Sequence, residues 1–203
     1  MAKQSYGINE IFSNGIAFLY TKLFWKNARL IRRPVYIRGK KNLQYGKGFT
    51  TGYSCRIENL VVDGHQGKTI IGTDCRIGDR VHITSVKRVE IGANCLLASN
   101  ILISDNEHGI YKGTHQCSPY EEPNRRKLRV EPVKIGDRVW IGENVVILPG
   151  AQIGDGCVIG ANSVVKGKFP NNCIIAGCPA KIVKTWVGNE KKGSWLKYSL
   201  KDN

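Results

Sequence analysis

From Ile135 to Lys168 an aliphatic residue returns every six positions, at Ile135, Ile141, Ile147, Ile153, Ile159 and Val165. Four of these are followed directly by glycine, at 136, 142, 154 and 160, and a small or β-branched residue often stands four places on (Val139, Val145, Ala151, Cys157, Ser163). A period of six is neither the 3.6 of a helix nor the alternation of a simple strand. It demands a short strand and a tight turn, repeated, which is the hexapeptide form of a parallel β-helix. Three units make one triangular coil, with the aliphatic residue inward and stacked on its equivalents. The glycines are expected to let the chain turn the corners.

The beat extends upstream. It starts loosely at Ile37, Leu43, Phe49 and Cys55, then sharpens at Ile71-Gly72, Ile77-Gly78 and Ile83. It slips by two residues in Ser85–Glu90, which implies an outward bulge beside Val86–Arg88, and resumes at Ile91-Gly92, Leu97-Ala98 and Ile103. About six coils follow, a prism roughly 30 Å long. The longest interruption spans 105–134, and a loop of that length inside a compact repeat is usually functional. We therefore expect an all-β fold over 35–185. Residues 1–34 read as a basic helical cap: Ile8, Ile11, Phe12, Ile16, Leu19, Leu23 and Phe24 recur at helical steps, and Pro34 ends any helix. Residues 186–203 read as a basic tail in which Trp186 and Trp195 are candidate anchors.

The net charge of +15 sits on the ends. Residues 1–48 hold ten Lys/Arg against one acid, and 181–203 hold six against two, while 49–180 is nearly balanced at fifteen against thirteen. No zinc-finger, RNP or helix-turn-helix pattern accompanies the basicity, so nucleic acid is not the expected partner. Coenzyme phosphates or an anionic membrane surface suit terminal basic patches better. No apolar run is long enough to span a bilayer, and no signal-peptide pattern opens the chain. A cytoplasmic protein is expected, with a peripheral contact to the inner membrane face through the basic N-terminus. Seven scattered cysteines without a CxxC read as buried free thiols.

The segments VWIGENVVILPGAQIGDGCVIGANSVV and AGCPAKIVK resemble the hexapeptide-repeat acyltransferases, nearest to the branch that O-acetylates sugars and surface polysaccharides and that includes galactoside and maltose acetyltransferases. The resemblance implies a left-handed coil, a homotrimer with an active site shared between subunits, acetyl-CoA as donor, a sugar or oligosaccharide as acceptor, and no metal.

His108 is the candidate general base. It follows Ile103-Ser104-Asp105 directly into the long loop, and Asn100 lies eight residues before it, a spacing found in the resembling sugar acetyltransferases. A sugar hydroxyl is a poor nucleophile until a base takes its proton, and an imidazole suits that work. Many relatives carry a second histidine where this chain has Asn106. Asp105 or Glu107 are candidates for orienting the ring. Asn100, His82, Arg80 and His115 are candidates for the acceptor pocket. The resemblance points the donor site to Trp140, Gly142, Ala161, Lys166, Lys168, Lys181 and Lys184, with the lysines meeting phosphates as point charges. The family's Thr-Lys pair is replaced here by VVKGK, which displaces the charge by one position.

Other readings stay open. His82, His108 and His115 raise a zinc site like that of γ-class carbonic anhydrases, although the spacing of seven differs from the HxxxxH of those enzymes and no register makes the three converge. An antibiotic- or serine-acetylating enzyme would share the mechanism. A β-helix scaffold without catalysis would not need His108.

Overall fold

The computed structural model describes residues 7–190 and 192–198. Each hexapeptide forms a two-residue strand, as at Trp140–Ile141, Val146–Ile147, Gln152–Ile153, Val158–Ile159 and Val164–Val165. Successive hexapeptide strands fall on three different faces, so each pairs in parallel with the coil above and below. One face has nine strands and the other two have six each, giving six complete turns. The inward positions stack in register. Ile77, Leu97, Ile141, Ile159 and Ile175 form one column. Ile83, Ile103, Ile147 and Val165 form a second, and Ile71, Ile91, Ile135, Ile153 and Phe169 a third. All but Phe169 are buried, and each such side chain contributes about 1.5–3 kcal/mol.

The corner glycines act differently from the expectation. Gly136, Gly142, Gly154 and Gly160 are not in the left-handed region; Arg138, Asn144, Gly156 and Asn162, two residues further on, are. The glycine is needed because the next coil lies so close. A Cβ on Gly142 would stand 2.7 Å from the Ala161 nitrogen. Asparagine tolerates the left-handed turn better than most residues, which explains its recurrence at these corners. Replacing Gly142 by alanine is expected to cost about 1–3 kcal/mol, read as a lower urea midpoint. Gly15→Ala, in a helix with nothing near the new methyl, should instead stabilise by about 0.5–1 kcal/mol.

The slipped beat is a real bulge between the strands His82–Ser85 and Val89–Ile91. A second excursion, not anticipated, is the hairpin of Val61–Val62 with His65–Gln66.

Both ends depart from expectation. The helix Ile8–Phe24 ends ten residues before Pro34, and the first strand, Leu30–Ile31, already pairs with Thr50–Thr51 inside the segment read as the cap. The helix meets this strand through Ala17 and Thr21, whose hydroxyl accepts the Ile31 N–H at 2.8 Å. Trp25 then packs on Tyr45, and Tyr45 on Phe49, at 5.5 Å between ring centroids in each case. The predicted apolar stripe is on the opposite side and exposed. At the other end no boundary falls at 186. The strand Ala180–Gly188 runs through it, folds back on Cys173–Gly177, and pairs with Gly193–Lys197. Trp186 and Trp195 are cross-strand partners at 5.4 Å.

All seven cysteines are free, with Cys55, Cys75, Cys95, Cys157 and Cys173 buried and Cys178 exposed. Burial pushes the Cys55 and Cys173 thiols up to about 11. Because five of the thiols are out of reach of solvent, a thiol reagent at about pH 8 should label Cys178 first, Cys117 more slowly, and the buried five only on unfolding. Fast labelling of more than two thiols in the native protein would contradict this burial pattern.

Candidate active site

His108 is carried by a two-stranded ribbon. After the strand Leu102–Ser104 the chain leaves the prism, and Asn106–His108 pairs antiparallel with Leu128–Val130, which sets His108 opposite Leu128. Beyond His108 the Gly109 N–H donates to the Lys127 carbonyl at 3.1 Å, with Gly109 at φ +97°. The Tyr111 hydroxyl donates to the His108 carbonyl at 2.7 Å and accepts from Arg126 at 3.0 Å. An ion pair of Glu107 with Arg129, extended to Glu131, joins the two strands. Glu107 is therefore committed to the ribbon and does not orient the imidazole. Among the described residues, no side chain bonds either ring nitrogen of the exposed His108.

Asp105 has a different task from the one its position suggested. Its carboxylate is fully buried and accepts the N–H groups of Val86, Lys87 and Arg88 at 2.8, 2.8 and 2.6 Å. It also accepts the Ser85 hydroxyl at 3.1 Å and the Asn106 amide at 3.0 Å. It anchors the bulge of one coil to the root of the ribbon, and makes no contact that orients His108.

The ribbon, the bulge and the unanticipated hairpin enclose a hollow of about 840 Å³. His108, Asn106, Leu128 and Val130 form one wall, Leu60, Val62 and His65 another, and Val86 lies between; Arg125, Arg126 and Lys127 add positive charge, with Asp63 and Glu121 opposing it. An apolar-backed hollow with an accessible imidazole and a few charged groups can hold a polar small molecule and take a proton from it. His65 was missed by the sequence reading, yet Asp63-Gly64 between two Val and His-Gln is a strong two-residue hairpin signal.

The remaining predicted acceptor residues are elsewhere in the single chain. Arg80 and Asn100 occupy stacked left-handed corners, where Asn100 accepts from Arg80 at 2.7 Å and donates to Glu143 at 3.0 Å. That corner opens the strand Leu102–Ser104, whereas His108 lies past its other end. His82 projects from the same face, its Nε2 3.0 Å from Glu58. The Arg56 guanidinium, then His82 and Arg38, hold the Glu58 carboxyl below the usual carboxylate range, against the upward push of its own desolvation. His115 is exposed on the loop. His82, His108 and His115 thus do not converge, and among the described residues no group of three His, Cys, Asp or Glu is placed to hold a metal ion.

The predicted donor residues are also spread. Trp140 faces outward in a row with Leu96, Val158, Ile174 and Lys184. Gly142 and Ala161 stack at the following corner. Lys181 lies opposite Ala176 in the C-terminal hairpin, Lys166 follows the strand Val164–Val165, and Lys168 pairs with Gln152 on the third face. One chain alone does not bring these lysines together.

By sequence, this three-faced coil of hexapeptides matches transferases. Residues 132–167 match the model of the bacterial transferase hexapeptide (six repeats), and residues 68–104 that of the hexapeptide repeat of succinyl-transferase. WbbJ of Escherichia coli K12, provisionally named a lipopolysaccharide biosynthesis O-acetyl transferase, is 42% identical over 180 residues, covering 88% of this chain and 89% of its own. The galactoside O-acetyltransferase of the same organism is 29% identical over 154 residues, covering 76% and 72%. Among solved structures, the N-acyltransferase AntD from Bacillus cereus, in complex with dTDP and 3-hydroxybutyryl-CoA, superposes with a TM-score of 0.66 at 21% identity over 89% of this chain and 88% of its own, a likeness of fold. The chain belongs to the hexapeptide-repeat acetyltransferases. Its coil is accordingly the left-handed β-helix of that family.

Proposed function

We propose that the chain transfers the acetyl group of acetyl-CoA to a sugar hydroxyl, in the cytoplasm, during assembly of a surface polysaccharide. The observation that carries this reading is the exposed His108 imidazole, unengaged by side chains among the described residues, on the wall of an apolar-backed hollow with charged groups. One ring nitrogen takes the hydroxyl proton as the sugar oxygen attacks the thioester carbonyl. The tetrahedral intermediate then collapses, the C–S bond breaks, and the imidazolium returns the proton to the leaving thiolate. Base catalysis of this kind contributes about 10²–10⁴-fold. The names of the two Escherichia coli relatives, one in lipopolysaccharide biosynthesis and one acting on galactosides, support a sugar acceptor.

A homotrimer accounts for the scattered donor residues. Leu96 and Trp140 are half exposed on a flat outward face, where a bare indole is normally covered. In a groove between neighbouring chains, Trp140, Gly142 and Ala161 flank the coenzyme, and lysines among 166, 168, 181 and 184 meet its phosphates. The helix Ile8–Phe24 caps the first coil in this assembly. The test is coenzyme release from acetyl-CoA over a panel of sugars, amino sugars and serine. Turnover with a neutral sugar supports the reading; turnover confined to amines or serine would replace it. Bound acetyl-CoA at about a hundred times its Kd should also add roughly 2.7 kcal/mol of stability per site, seen as a raised Tm that a chelator does not abolish.

A further inference from the structure

The helix Ile8–Phe24 turns its polar, small-residue side to the protein and its apolar side to solvent. At about 100° per residue, Ile8, Phe12, Leu19 and Leu23 fall on one stripe, opposite the buried Ala17 and Thr21. Phe12 is 71% exposed, Leu19 64% and Leu23 77%. Monomeric surfaces rarely leave so continuous an apolar patch uncovered.

The surroundings of the stripe are basic. Lys22 lies on the helix itself, and Lys26 and Arg29 follow its C-terminus, all three exposed. Together with Lys47 they line a hollow of about 780 Å³ whose only acid is Asp74. Glu10 is the sole acid in the first 48 residues. An apolar stripe bordered by cations matches a bilayer interface, where acyl chains take the apolar side and anionic headgroups the lysines and arginines. A second copy of the same face would set these cations against their own equivalents, which disfavours self-association through it. No helix of the described residues is long and apolar enough to cross a membrane, so the contact lies in the surface plane.

We propose that this helix docks the protein on an anionic phospholipid surface, with Ile8, Phe12, Leu19 and Leu23 inserted and Lys22, Lys26, Arg29 and Lys47 at the headgroups. The inference is independent of the acetyl-transfer reading, since it concerns another part of the molecule.

The experiment is co-sedimentation of the full chain with vesicles of phosphatidylglycerol and phosphatidylcholine, or of phosphatidylcholine alone. Binding is expected to the anionic vesicles and to weaken with salt. The variant Phe12→Glu/Leu19→Glu/Leu23→Glu should lose about a hundredfold or more in partition. The variant Lys22→Glu/Lys26→Glu/Arg29→Glu should lose at least about a hundredfold, at roughly fivefold for each cation removed. The substituted side chains are solvent-exposed, so melting curves of both variants should overlay the parent. Absence of binding to anionic vesicles, or binding retained in either variant, would overturn the proposal. So would a smaller assembly of the apolar variant in sedimentation velocity, which would give the face to a second copy instead.

Discussion

Replacing His108 by alanine is expected to lower kcat for acetyl transfer by about 10²–10⁴-fold while leaving the melting temperature within about a degree of the parent. The imidazole is exposed and bonds no side chain among the described residues, so its removal opens no cavity and strands no buried partner. The ribbon is held by other groups: the Glu107–Arg129 pair, the Gly109 N–H on Lys127, and the Tyr111 hydroxyl on the His108 carbonyl, which alanine retains. Uniform loss of substrate binding would raise KM at constant kcat, whereas loss of a base acts on kcat. Steady-state kinetics with a saturating neutral sugar separates the two. Unchanged kcat in a folded variant would remove His108 from the chemistry and return the protein to the scaffold reading.

What could be read from the residues depended on whether the deciding contact was local. Ile135 to Val165 announced their stacking because each inward residue meets its own kind one coil away, so the period carries the register. The bulge at Val86–Arg88 was legible for the same reason, as a break in that count. The helix stripe was legible as a stripe but not in its direction. Periodicity says that Phe12, Leu19 and Leu23 share a side; it does not say that Thr21, on the other side, accepts the Ile31 N–H and fixes the helix with the stripe outward. The donor residues Trp140, Lys168 and Lys184 came from resemblance, and they lie on two faces of one prism. Trp140 and Lys184 share one row and Lys168 stands on another face; the proposed groove between neighbouring chains is what would join them, and a single sequence does not display it. The hairpin that brings His65 to the hollow was available in Val61–Gln66 and went unread because the six-residue beat dominated that region.

Asp105→Ala is expected to be among the most destabilising single changes in the chain, at about 3–5 kcal/mol, and to reduce activity as a consequence. The carboxylate gathers three consecutive backbone N–H groups, a hydroxyl and an amide inside the fold. Each buried donor left without a partner costs about 1–3 kcal/mol, and relaxation of the bulge toward water recovers part of the total. Asp105→Asn preserves the shape and one carbonyl acceptor, but its NH₂ group meets donors on one side, so it should fall between alanine and the parent. The same variants distinguish an anchor from an orienter of His108. An anchor predicts lower urea midpoints with faster amide hydrogen exchange at Val86, Lys87 and Arg88, and recovery of much of the activity when acetyl-CoA or low temperature stabilises the fold. An orienter predicts unchanged exchange in the bulge and a loss of kcat that stabilisation does not restore. The five contacts of the Asp105 carboxylate, none of them to the imidazole, favour the first outcome: the acid three residues before the catalytic candidate acts by holding the root of the ribbon on which His108 stands.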